Sequence, residues 1–264
     1  MTVDQRPTLE GRLRERLADK PLLLMTHLVV GYPSLEDNWV MLEAMDAAGV
    51  DLVELQLPFS EPIADGPAFV KANHEAIAAG IGWEEYFDLT ARASAAFSFE
   101  TLFMGYYNSV YRMGAEPFAG RLAEAGMRGF IVPDLPPEEA AELREHARAN
   151  DLDQVQIMTP TSSPARLAEI GRHASGMVYC AARTGVTGRQ TDLSQGVPEF
   201  LARCREATSV PLGVGFGIRT ADDVRALRGL ADVAIVGTAG TQAWLDGGEP
   251  GYRELLDALV AGTR

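Results

Sequence analysis

A strand-like run, Asp51-Leu-Val-Glu54-Leu-Gln56-Leu57, passes into a loop punctuated by Pro58, Pro62, Gly66 and Pro67 and carrying Asp65. Side chains alternate across a strand, so Glu54 and Gln56 share one face while Val53, Leu55 and Leu57 share the other. With the apolar set packed against helices, Glu54 points into the interior, where apolar walls disfavour the charged form of a carboxyl and suit it to general acid or base work. A Glu satisfied by hydrogen bonds in a polar interior layer fits the same spacing. Asp65 can set a second carboxylate over the same space, although Asp-Gly is also a common turn.

Three glycine-punctuated segments point to a second chemistry. Arg183-Thr-Gly-Val-Thr187-Gly188 can close over a ligand and offer it backbone N–H groups. Gly213-Val-Gly215-Phe-Gly217-Ile and Val236-Gly237-Thr238-Ala-Gly240 each lead from an apolar run into a helical stretch. Small residues there let phosphate oxygens reach the N–H groups at a helix start. Chain reversal alone would also use glycine, but the pattern occurs twice in succession, which favours phosphate. Tyr106 and Tyr179 can bring hydroxyls to the same region, or serve as packing. Asp134, in Val132-Pro-Asp-Leu-Pro, reads as a turn carboxylate, His27 as a polar core residue or a lining residue, and Cys180 as a small buried hydrophobe.

Residues so far apart in sequence need a frame that gathers them. Eight apolar runs recur: Leu22–Val30, Val50–Leu57, Thr101–Tyr106, Arg128–Pro133, Gln154–Met158, Gly176–Ala182, Val210–Val214 and Val233–Val236. Amphipathic stretches follow them, including Asn38–Ala48, Glu84–Ala96, Pro117–Ala125, Pro137–Asn150, Pro164–His173, Pro198–Thr208, Ala221–Leu230 and Gly251–Ala261. Ser34, Ser163 and Thr220 stand where helices need caps, and Gly49, Gly126 and Gly229 where they end. Eight strand–helix units predict an α/β fold, a single (β/α)8 TIM barrel spanning 1–264 as one domain. Leu9, Leu13 and Leu17, spaced by four, predict an extra helix over its N-terminal end. The connections Pro58–Ala72 and Arg183–Gly196 are long, and both open on the C-terminal face, where barrel sites sit.

Composition narrows the partners. The 264 residues carry 23 Lys and Arg against 37 Asp and Glu, a net charge of −14, which repels nucleic acid and anionic membranes. Two cysteines and four histidines show no metal-ligand spacing, so no structural metal is expected. The charged N-terminus is unlike a secretory signal, and no apolar run approaches about 20 residues. A soluble, cytoplasmic protein is the expectation.

Taken together, the segments Glu54-Leu-x-Leu-Pro-Phe-Ser-Glu-Pro-Ile-Ala-Asp65-Gly-Pro, Pro133-Asp134-Leu-Pro, Ser175-Gly-x-Val-Tyr179, Arg183-Thr-Gly-Val-Thr187-Gly188 and Gly215-Phe-Gly217-Ile resemble the tryptophan synthase alpha subunit family from Leu23 to about Ala261. That resemblance implies cofactor-free cleavage of indole-3-glycerol phosphate to indole and glyceraldehyde 3-phosphate. It implies Glu54 as the acid/base, Asp65 as acceptor of the indole N–H, and Tyr179 as a wall of the indole pocket. Thr187 would order the Asp65 loop, and Gly188, Gly217, Gly237 and Thr238 would hold phosphate. It also implies a pyridoxal-phosphate-dependent beta subunit as partner in an α2β2 complex, met around Pro58, Phe59, Pro62 and Asn108.

The chain departs from the family pattern at Gln56, where Gly is usual, and more mildly at Glu61 and Thr238, where Asp and Ser are commoner. An inward Gln56 is expected to enter the pocket, either bonding Glu54 or recognising a polar group on substrate. It keeps other readings open: a paralogue acting on another indole or phosphosugar, or a non-catalytic activator of a beta-type enzyme. A phosphosugar isomerase would not need the paired carboxylates under a closing loop.

Overall fold

A strand of three to seven residues cannot satisfy its own backbone, and the eight strands of this chain solve that by closing into a ring. A computed structural model, which describes residues 8–182, 196–215 and 217–264, contains strands β1 (Leu23–Val29), β2 (Leu52–Gln56), β3 (Glu100–Met104), β4 (Gly129–Ile131), β5 (Asp153–Met158), β6 (Val178–Ala181), β7 (Leu212–Gly215) and β8 (Val233–Val236). Each pairs in parallel with the next, and β8 pairs back onto β1, so the barrel has no edge. This is the (β/α)8 barrel that the alternation predicts.

The period of two decides what lies inside. Leu23, Met25, Leu52, Leu102, Met104, Ile131, Val155, Met177, Val233 and Ile235 fill the interior, while Leu24, Leu28, Val53, Leu55, Phe103 and Phe130 face the helices. The surrounding helices are α2 (Leu35–Ala48), α3 (Pro67–Ala78), α4 (Trp83–Ala96), α5 (Tyr107–Met113), α6 (Ala115–Glu124), α7 (Ala141–Ala149), α8 (Pro164–His173), α9 (Val197–Ala207), α10 (Ala221–Ala226) and α11 (Thr238–Thr263). The hydroxyls of Ser34, Ser163 and Thr220 accept backbone N–H bonds from Asp37, Arg166 and Asp223, and Gly49, Gly126 and Gly229 have φ of 87°, 77° and 76°. The caps and stops read from the sequence are therefore the observed ones.

Several helices differ from the sequence reading. Helix α3 begins at Pro67, inside the stretch expected to be loop, because Gly66 ends the turn and Pro67 suits the first helical position. Helix α5 was not expected, since seven residues give too little periodicity to read. Helix α7 starts at Ala141 rather than Pro137, and α10 ends at Ala226, ahead of a turn at Gly229. Helix α11 starts directly after β8 and is broken at Gly248, where φ is 59°, before continuing through the expected Gly251–Ala261.

An additional helix, α1 (Leu9–Asp19), covers the N-terminal end of the barrel, driving Leu9 and Leu13 into the interior cluster. Its first backbone N–H donates to Oδ2 of Asp153 at 3.0 Å, so a carboxylate meets the positive helix end. Charged groups ring the plug. Glu100 accepts from Arg12, Arg16 and Arg128 at 3.2, 3.4 and 3.2 Å, and Asp51 accepts from Lys20 at 2.7 Å. Among the described residues no helix is long and apolar enough to cross a membrane.

If α1 is part of the core, Leu13→Ala opens a cavity that the closed barrel cannot collapse, and the expected loss is about 2–5 kcal/mol of unfolding free energy. Denaturant titration measures it; a loss below about 1 kcal/mol would show α1 to be a surface appendage.

Candidate active site at the C-terminal mouth of the barrel

At the opposite end the interior turns polar. In register, His27 on β1 lies beside Glu54 on β2, and Val29 beside Gln56, so the inward alternation brings His27, Glu54 and Gln56 together above an apolar floor. The cavity they top has about 700 Å³ of free space, part of it open to solvent. Glu54, His27, Asp65, Phe69 and Tyr179 line it with Met104, Ile131 and Ile157, and Gly217, Gly237 and Thr238 lie on its rim.

Glu54 is buried. Its Oε1 lies 3.2 Å from Nδ1 of His27, and among the described residues its Oε2 has no hydrogen-bond partner. Asp65 reaches the same space because its loop folds back over the mouth. Its Oδ2 accepts from Nε2 of Gln56 at 2.8 Å and from Nδ2 of Asn73 at 3.5 Å, and its carboxyl also bonds the Tyr106 hydroxyl. Burial pushes the Asp65 carboxyl above the ordinary carboxylate range, against the opposing pull of the Gln56 hydrogen bond and the His27 charge. Asn73 on α3 ties the loop down: its Oδ1 accepts the Phe59 N–H at 2.8 Å, and its Nδ2 donates to the Phe69 carbonyl.

Tyr179 on β6 stands over Gly215 on β7, where an added Cβ would collide with its ring and hydroxyl, so glycine is required there. Burial, with Glu54 and Asp65 nearby, holds its phenol well above the usual range, and it works as a neutral wall. Gly217 has φ 92°, and Gly237 precedes the first turn of α11, whose N–H groups start at Thr238 beside the cavity. Arg219 borders the adjoining recess with Thr238. Thr187 and Gly188 lie outside the described residues.

Two residues expected to contact substrate stand one layer back. Gln56 does not bond Glu54. It is fully buried, its Oε1 lies 2.8 Å from Nε2 of His27, and its amide is used up between His27, Asp65 and Asn73. The expected bond to Glu54 is not made because the folded-back Asp65 loop captures its Nε2. Tyr106 is also displaced from the lining. It stacks on Phe59 at 5.1 Å, and its hydroxyl accepts the Ala64 N–H at 3.0 Å, so it props the Asp65 loop. Asp134 accepts the Tyr107 N–H at 2.8 Å and is the turn carboxylate expected, here starting α5. Cys180 is a buried free thiol.

His27 and Asn73 are the residues that sequence reading underweighted. Strict alternation from Leu23 through Met25 places His27 inward, a signal present in the sequence. Asn73 carries none, because the first half of its helix falls in the stretch Pro58–Ala72 that reads as a connection. Among the described residues no cluster of three His, Cys, Asp or Glu could hold a metal.

Comparison with known proteins agrees with this geometry. A family model described as tryptophan synthase alpha chain matches residues 13–244. The tryptophan synthase alpha chain of Syntrophotalea carbinolica is 44% identical over 95% of this chain and 99% of its own, and that of Desulforapulum autotrophicum 41% identical over 96% and 100%. A chain of Mycobacterium tuberculosis tryptophan synthase superposes with a TM-score of 0.92 at 31% identity, covering 98% of this chain and 99% of that one. Relatives this similar over nearly their whole length, sharing one closed barrel, place the chain in the tryptophan synthase alpha chain family, a family of carbon–carbon lyases.

Proposed function

We propose that this chain cleaves indole-3-glycerol phosphate to indole and glyceraldehyde 3-phosphate at the mouth of the barrel, as a step of tryptophan biosynthesis in the cytoplasm. The observation that carries the reading is the pairing of two buried carboxyls across one apolar cavity, with a free oxygen on Glu54 and a helix N-terminus on the rim.

Each group has one task. Phosphate sits against the N–H groups after Gly217 and Gly237 and at Thr238, where backbone and helix dipole supply the positive field that a chain of charge −14 lacks elsewhere. By the family pattern Gly188 adds to the phosphate site and Thr187 orders the Asp65 loop. The indole ring lies between Tyr179 and the apolar wall. Glu54 gives a proton to indole C3, and the ring nitrogen takes the positive charge, which Asp65 stabilises by accepting its N–H. The bond between C3 and the glycerol carbon then breaks. Its electron pair restores the indole ring, the hydroxyl proton passes to Glu54, and the aldehyde forms. Protons and electrons balance with no cofactor.

Gln56 offers substrate no group, so the substitution changes what supports the carboxylates rather than the cavity wall. This favours the family substrate over a different indole or phosphosugar. A pyridoxal-phosphate-dependent beta subunit, in an α2β2 complex, fits the surface beside the mouth. There Pro58, Phe59 and Asn108 line a shallow recess, and Ile63 and Tyr111 are 73% and 72% exposed.

Incubation with indole-3-glycerol phosphate, alone and with a tryptophan synthase beta subunit, should release both products, and Glu54→Ala should lower the rate by about 10²–10⁴-fold. Wild-type protein that is folded yet releases neither product in either condition would defeat the reading. Asp65→Asn keeps the shape but loses the charge, so kcat should fall by about 10²-fold or more with a smaller change in KM. Tyr111→Asp should weaken stimulation by the beta subunit by roughly tenfold, read from the subunit concentration needed for half-maximal effect. Unchanged stimulation would place the contact elsewhere.

A further inference from the structure

Glu54, His27, Gln56 and Asp65 form an unbroken polar path across the mouth, and its hydrogen-bond directions are forced. The Gln56 amide donates through Nε2 to the Asp65 carboxylate at 2.8 Å and toward Oδ1 of Asn73 at 3.4 Å. Turned over, it would aim its oxygen at two other oxygens. Its Oε1 must therefore face His27, 2.8 Å from Nε2, and that nitrogen must carry a proton. The only imidazole position left to titrate is Nδ1, 3.2 Å from Oε1 of Glu54.

The surroundings decide how Nδ1 is used. Facing the ring are Glu54 and Gln56 from β2, Asp65 from the loop above, Phe69 from α3 with ring centroids 4.4 Å apart, and Gly237 at the end of β8. No Lys or Arg among the described residues lines the cavity. Burial pulls the imidazole pKa down, but the charges of Glu54 and Asp65 and the bonds to Glu54 and Gln56 outweigh it, leaving the pKa above its ordinary value.

Given Glu54 as the acid/base group of the cleavage assigned above, we propose that His27 is its positioning residue: an imidazolium, locked by the Gln56 amide, whose Nδ1–H clamps Oε1 of Glu54 and leaves Oε2 as the one oxygen where a proton arrives and leaves. When Oε2 gives its proton to C3, the carboxylate charge left behind is met by the imidazolium on Oε1. When the hydroxyl proton returns, it has one place to go. The proton of His27 itself is not transferred. The sign for pH is fixed: the clamp is complete below the raised pKa of His27 and is lost as pH rises through it.

Histidine-labelled ¹⁵N NMR of the full chain, with the His27 signals assigned by their loss in His27→Gln, tests the charge directly. At about pH 7.5, above the ordinary histidine value, both His27 nitrogens should be protonated. In Glu54→Gln the midpoint should fall by about one pH unit or more, and in Gln56→Leu the Nε2–H should no longer be fixed. In the cleavage assay, His27→Gln should lower kcat about tenfold or more, leave KM within about threefold, and remove the alkaline limb of the kcat/KM profile. A neutral His27 at that pH, or a His27→Gln enzyme with the wild-type rate and limb, overturns the clamp. Indole release by Glu54→Ala instead overturns the acid/base assignment beneath it. Should His27→Gln not fold, the midpoint shift between wild type and Glu54→Gln still decides.

Discussion

Two carboxyls buried in one apolar cavity are a standing electrostatic problem, and the upper half of this molecule is built around it. Burial strips the Asp65 carboxyl of hydration and raises its pKa, and the nearby Glu54 charge raises it further. Among the described residues no Lys or Arg reaches the lining. Asp65 is instead surrounded by three neutral donors, the Gln56 amide, the Asn73 amide and the Tyr106 hydroxyl, while Glu54 has an imidazole on one oxygen. Neutral donors stabilise a carboxylate without quenching it, so Asp65 keeps charge available for a ligand.

Those donors also hold the backbone in place. The loop between β2 and α3 has few regular hydrogen bonds of its own. It is fixed from below by Gln56, from the side by Asn73 at the Phe59 N–H, and from behind by Tyr106 at the Ala64 N–H. Two of the side chains that hold Asp65 in place, Gln56 and Tyr106, also pull its carboxyl down against the burial that raises it. The opposite end of the barrel uses charge differently: Asp51 and Glu100 are paired with arginines and a lysine at the rim of the α1 plug, in ion pairs that leave no oxygen free for chemistry.

The strands and much of the site could be read from the sequence because both depend on local rules. Alternation gave all eight strands and turned Glu54 inward, and cap and glycine signals gave most helix ends. What escaped depends on distance in sequence. That Gln56 faces inward follows from its parity with Glu54; that it bonds Asp65 and His27 requires knowing how a loop nine residues on folds back and which residue of β1 stands in register. Tyr106 looked like a lining residue for the same reason: position on a strand end is legible, whereas the object it touches is not. Asn73 was hidden by a missed helix whose start at Gly66-Pro67 resembles a turn.

The plug at the base has a consequence for the mouth as well as for the fold. With Leu9 and Leu13 seated inside the ring of strands, the described residues close the barrel at its base, and the cavity lies toward the mouth. Groups held on the rim, beside Gly217, Gly237 and Thr238, stand between solvent and anything lodged against Tyr179, Glu54 and the apolar floor. A molecule long enough to span that distance meets backbone N–H groups at one end and apolar walls at the other, so its two ends are held by different forces.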